Sequence, residues 1–292
     1  NGWLQNCNST PFTAALEYSP KKEDYPNYMS IDRENFRGVH AIELLKKGKD
    51  YTMDSLIELG YDPYLPAFKA LIPGLVEAYD KGDYTKEVGE HIEKLRNWDY
   101  KTSKESVAMT LAHYYGTAYL KNGTRPEQRL TPMQLLTYFG SESPLKERMQ
   151  IFKTVIDRLE TDFGTALIPW GDVNRFQRIN GDIRQPFNDD LPSTAVGLAS
   201  GRWGALAAYG ERYTNGTKKI YGTRGNSFVA VVEFGDKVKA KTSLAGGQSG
   251  DPDSPHFDDQ IEPYVNAQFK EVAFYKEDVL KRAKRTYHPG EE

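Results

Sequence analysis

Between Gly2 and Phe12 the chain reads Gly-Trp-Leu-Gln-Asn-Cys-Asn-Ser-Thr-Pro-Phe, with asparagines and hydroxyls set between two aromatic residues. Asn8 in this run carries an amide that donates two N–H bonds and does not titrate. Such a donor suits acyl transfer, where negative charge develops on a carbonyl oxygen. The same run would also serve as a loop whose Asn and Ser side chains close their own turns. Cys7 is the only cysteine, so the chain has neither an internal disulfide nor a thiolate zinc cluster. With no histidine near it in sequence, Cys7 is expected to be a small buried apolar group, not a nucleophile.

Three further constellations could carry chemistry. His256 stands two and three residues before Asp258 and Asp259, which invites a triad reading; a hydrogen-bonded structural role is the simpler expectation. Gly246-Gly247-Gln248-Ser249-Gly250 follows an expected strand but lacks the Lys-Ser/Thr ending of a phosphate loop, so a strand-to-helix turn is expected. Asp251, Asp253, Asp258 and Asp259 are oxygen donors without EF-hand spacing, and they suit a helix start better than calcium. His40, His91, His113 and His288 show no paired metal-ligand spacing.

Stretches in four parts of the chain, in order, resemble the penicillin amidase family of N-terminal-nucleophile hydrolases. Gly2 to Pro11 is similar to the Gly-aromatic-aliphatic-x-Asn-x-Asn-[Asn/Ser]-[Ser/Thr]-Pro stretch of that family's β subunit. Arg37-Gly38-Val39-His40-Ala41-Ile42-Glu43-Leu44-Leu45 resembles its Arg-headed helix. Pro169-Trp170-Gly171-Asp172-Val173-Asn174-Arg175-Phe176 and Ser254-Pro255-His256-Phe257-Asp258-Asp259-Gln260 look like its C-terminal half.

The family includes penicillin and cephalosporin acylases, acyl-homoserine lactone acylases and lipopeptide deacylases. The resemblance implies that Asn8 belongs to an oxyanion hole. It also implies that Arg37 places a fixed positive charge near the oxyanion or the α-amine, with Arg33 as the substitute if the helix register differs. In the family the nucleophile is the first residue of the β subunit, normally Ser, and its own α-amine is the base. Asn1 has no nucleophilic atom, so the catalytic Ser is expected upstream. The chain is then expected to be the C-terminal half or so of a β subunit from a longer precursor. Its partners would be the α subunit and the N-terminal part of β, and its substrate a small acylated amide. The resemblance argues against a His-based triad at His256. It implies no cofactor beyond a structural calcium to which Asp24 or Asp32 could contribute. It also implies a periplasmic or secreted location.

The rest of the chain must position these residues. Its 292 residues carry a formal net charge of −3. That gives no basic footprint for nucleic acid, and no apolar run approaches a membrane span. Lys281 to Arg285 reads as the solvated face of a last helix. Helices are expected at about 35–47 and 53–59, then with helical period to about Phe163. Thr131-Pro132 and Ser143-Pro144 each set a capping hydroxyl before a proline, and Gly164 forms the final stop. Pro169 to Pro192 reads as a long ordered loop. Residues 226–234 read as a buried strand, turning at Gly235-Asp236 into a second strand over about 237–245. Helices at about 257–269 and 276–284 complete the expectation. The fold class is α+β: an oxyanion-motif segment (1–34), a helical insertion (35–164), and a loop-rich and β-hairpin part (165–292) of an incomplete αββα sandwich. The alternative is a non-catalytic helical binding module with a β-hairpin unit.

Overall fold

The computed structural model describes every residue except Asn1, Tyr213, Asn215, Pro289 and Glu292. Short 3-10 turns carry the chain to Asn35, whose side chain accepts the Gly38 N–H and starts α1 (Phe36–Lys47). A reciprocal pair of bonds between Thr52 and Ser55 starts α2 (Met53–Gly60). Then come α3 (Pro66–Asp80), α4 (Lys86–Arg96), α5 (Val107–Asn122), α6 (Pro132–Ser141) and α7 (Leu145–Phe163). Thr131 and Gln134 cap α6 as the sequence predicts, and Gly164 ends α7 at φ 76°.

The Ser143 hydroxyl is not a cap. It donates to the Phe139 carbonyl (2.7 Å) and accepts from Tyr119 (2.6 Å) and from Arg148 Nε (3.1 Å). Arg148 is buried, and its Nη1 donates to the Gly74 carbonyl (3.0 Å). A buried guanidinium is tolerable only with acceptors of this kind around it. Its carbonyl partner lies where α3 crosses α6 at two glycines. A Cβ on Gly74 would run into the Gly140 carbonyl, and one on Gly140 into the Ala70 carbonyl. Gly140→Ala is therefore expected to destabilise the fold by about 1–3 kcal/mol through overpacking. An unchanged melting temperature would show that the crossing relaxes freely.

The helical core does not stop at Phe163. Trp203 stacks on Phe68 of α3 at 4.7 Å, and Gly116 of α5 leaves room for its indole. Trp170 packs against His113 of α5 at 4.7 Å, and Val173 and Ile220 join the same cluster. The Trp203 indole N–H donates to His113 Nδ1 (3.2 Å), which leaves Nε2 as the protonated nitrogen facing Glu211 at 3.6 Å. Burial pushes the imidazole below its ordinary value of 6.5, outweighing the upward pull of Glu211. The ring is neutral in the fold, and the Glu211 contact is not an ion pair at neutral pH. Unfolded His113 takes a proton more readily than folded His113, so this contribution is complete above about pH 6.5 and shrinks as pH falls below it. Denaturant unfolding at pH 7.5 and pH 5 should show that loss, and His113→Gln should reduce it. An equal pH dependence in the variant would exclude His113 as the source.

After α8 (Trp170–Val173) come two small sheets. The first contains β1 (Asn174–Phe176), β2 (Thr194–Ala195), β3 (Tyr209–Arg212) and β4 (Ile220–Gly225), in the order β2-β1-β4-β3. Its β1–β4 pair is parallel and the other two pairs are antiparallel. The expected loop over 169–192 therefore opens with a helical turn and a strand before becoming irregular. The second sheet holds β5 (Phe228–Glu233), β6 (Lys239–Leu244) and β7 (Lys270–Glu271) in that order. The predicted hairpin pairs Phe228 with Leu244 through to Glu233 with Lys239.

The expectation of a buried strand is corrected here. Only Val231 of β5 is buried, while Phe228 is 61% and Phe234 84% exposed. The apolar run sits on an edge strand whose outer side pairs with nothing among the described residues. The helix expected over 257–269 shrinks to α9 (Ile261–Val265), because 251–260 is taken up by successive turns. The last helix, α10 (Lys276–Arg282), forms near its predicted place.

Candidate active site

Asn8 adopts φ +53°, a left-handed conformation that asparagine tolerates better than most residues. Its backbone N–H donates to the Asn6 side-chain oxygen (2.9 Å), which closes the turn. The turn is then fastened to the head of α1. Asn35 uses its side-chain oxygen to cap α1, and its Nδ2 donates to the carbonyls of Cys7 (3.1 Å) and Asn8 (3.2 Å). One side chain thus starts the helix and holds the motif across 27 residues.

Arg37, in the first turn of α1, adds the decisive contact. Its Nη2 donates to the Cys7 carbonyl (2.8 Å) and to Asn8 Oδ1 (2.8 Å). A cation at a helix N-terminus is mildly unfavourable, and the two oxygens offset that. With Oδ1 tied to the guanidinium, the Asn8 amide is oriented. Its Nδ2 has no acceptor among the described residues, and the residue is exposed. The arrangement presents free N–H donors from a rigid mount, as an oxyanion site requires.

The two residues line a cavity of about 580 Å³ together with Asn35, Ser200, Arg202 and Arg224. Gly201 forms part of its wall, and a Cβ there would lie 2.8 Å from Arg37 Cδ, so a glycine is what lets the guanidinium pass. The lining is rich in small residues and cationic, with Arg37, Arg202 and Arg224 contributing charge. Asn35 is legible in the sequence only as a helix start. Gly201, Arg202, Arg224 and Asn226 come from a turn and strand whose local pattern gives no sign of a site.

The other sequence candidates fall elsewhere. Arg33 is absent from the Asn8 cavity and lines its neighbours. Cys7 is half-buried instead of fully buried, and its thiol is pushed up chiefly by burial, against the pull of Arg37. A thiol held protonated is a poor nucleophile. Ser9 is buried, and the Ser200 hydroxyl accepts the Arg202 N–H. His256 is exposed and meets Asp259 through Nδ1 at 3.0 Å, which holds the carboxyl below its ordinary range. The hydroxyl of neighbouring Ser254 accepts the His256 backbone N–H. The Gly246–Gly250 turn aims carbonyls, not N–H groups, at its neighbour: Arg178 donates to Gly247 (3.2 Å) and Ser249 (2.7 Å). That polarity is the reverse of a phosphate cradle. Among the described residues no three His, Cys, Asp or Glu side chains could jointly hold a metal ion. No helix of the described residues is long and apolar enough to cross a membrane.

The family model for penicillin amidase matches residues 1–281. Among solved structures, the fold is similar to a thermostable penicillin G acylase from Alcaligenes faecalis, at 14% identity and a TM-score of 0.50. The match covers 90% of this chain and 55% of that one, so this chain spans little more than half the length of the acylase it resembles. At that identity the likeness speaks to the fold alone.

Proposed function

The chain belongs to the penicillin amidase family, and from that premise we propose that it forms part of an acylase hydrolysing the amide bond between an acyl chain and an amine. The observation that carries the reading is the 2.8 Å bond from Arg37 to Asn8 Oδ1, which leaves the Asn8 N–H groups as free donors. A nucleophilic hydroxyl attacks the amide carbonyl while its own α-amine takes the proton. The carbonyl oxygen becomes an oxyanion, and Asn8 Nδ2 donates to it. Arg37 keeps that amide oriented and adds positive charge to the cleft. The amine then leaves, and water resolves the acyl-enzyme.

The nucleophile comes from outside these 292 residues. This is supported by the chemistry of the cleft: Cys7 is held protonated, Ser9 is buried, and no imidazole lines the cavity with Ser200. The remainder of the precursor, α subunit and N-terminal part of β, supplies it. Candidate substrates are those of the family, namely penicillins, cephalosporins, acyl-homoserine lactones and lipopeptides, and the location is periplasmic or secreted. An amide oriented by arginine at a cationic cleft favours this reading over a non-catalytic helical binding module with a β-hairpin unit.

The chain of 292 residues alone is expected to show no turnover of a chromogenic acyl amide above background. Turnover by this chain that disappears in a Cys7→Ala variant would place the nucleophile at Cys7 and overturn the assignment.

A further inference from the structure

We propose that a second cavity, between the head of α1, the end of α5 and the start of α6, binds amphipathic carboxylates. It measures about 680 Å³, within the range of small-molecule sites. Its floor is apolar: Phe36, Leu135 and Leu136 are buried there, and Leu130 and Met133 are half-buried beside them. Its rim is cationic. Arg33, Lys121, Arg125 and Arg202 all line it and all are exposed, and none has a carboxylate within 4.0 Å among the described residues. The one carboxylate in the lining is Glu34, which accepts a bond from the Thr13 hydroxyl at 2.6 Å.

The rim therefore carries four cations against one anion, over a floor that can take only hydrocarbon. That pattern matches a ligand with an anionic head and an apolar tail. A neutral apolar ligand would leave the rim charges unused, and a cationic one would be repelled. Arg33 and Lys121 make no side-chain hydrogen bond or ion pair among the described residues that would compete with this task. Arg125 has a single bond, a long one of 3.3 Å to the Leu120 carbonyl, which leaves most of its fork unused.

The cavity adjoins the Asn8 cleft. Asn35, Gly201 and Arg202 line both. Binding here nevertheless needs no step of the hydrolysis, and it can be read without activity.

The test is calorimetric titration of the full protein with sodium decanoate, 1-decanol and decyltrimethylammonium. Decanoate is expected to bind, more weakly as salt is raised, and both other probes to bind at least about tenfold more weakly. Lys121→Gln with Arg125→Gln, two exposed changes, should weaken decanoate about tenfold or more. Asn8→Ala should leave it unchanged, which separates this cavity from the proposed active site. Decanol binding as tightly as decanoate, an unaltered affinity in the double variant, or no decanoate binding would each overturn the proposal.

Discussion

Asn8→Ala, made in the complete enzyme, is expected to lower kcat by roughly 100- to 1,000-fold with little change in KM. In the proposed role the donor would act on charge that exists only in the transition state, so ground-state binding should hardly notice its loss. The fold should survive. Asn8 is exposed, and the bonds that fix its segment run from Asn35 and Arg37 to backbone carbonyls, which alanine retains. The left-handed backbone at φ +53° adds a modest strain for alanine, so circular dichroism must accompany the kinetics. A folded Asn8→Ala enzyme with near wild-type kcat would reduce Asn8 to a turn residue.

Arg37→Ala should cost about 100-fold in kcat, the scale of a catalytic group displaced by about an ångström. The informative measurement is the double variant. If Arg37 works by holding the Asn8 amide through Oδ1, removing it from an Asn8→Ala enzyme should cost little more, because the two act as one unit. Losses that multiply would mean that Arg37 acts on the substrate by its own charge. Arg37→Lys bears on the same point. It keeps the charge but not the planar fork, so recovery by lysine favours charge and failure favours orientation.

How much of this was readable beforehand depends on the range of the interactions involved. The helices announced themselves locally. Thr131-Pro132-x-Gln134 carries its own capping chemistry, and Gly164 its own stop, so neither needs a distant partner. The hairpin from Phe228 to Leu244 is equally local, being closed by a short turn. The four-stranded sheet is not local. Its β1–β4 pair is parallel and joins Asn174 to Ile220, which lie far apart in sequence. Its strands are two to six residues long, too short for alternation to show. The run Phe228-Val229-Ala230-Val231-Val232 misleads because hydrophobicity reports what prefers to be buried, not what covers it. At Ser143 the hydroxyl had two possible tasks, and a buried arginine from the next helix decided between them. The site divides in the same way. Asn8 and Arg37 stand out as a family pattern, whereas Gly201 and Arg202 reach the cleft only through the packing of Trp203 beneath them.

The seating of Trp203 on Phe68 and Gly116, and of Trp170 on His113, bears on protein engineering. Specificity is often altered by transplanting a helical cassette from one homologue into another. Here the seam such a chimaera would use, near residue 165, cuts through the interior: two indoles from the downstream side sit in sockets built by α3 and α5. A grafted helical block that does not bring matching sockets would leave two large rings without seats. Exchange should therefore be made at the level of whole interlocking surfaces, with the turn at Gly201–Trp203 travelling together with the helices that receive it.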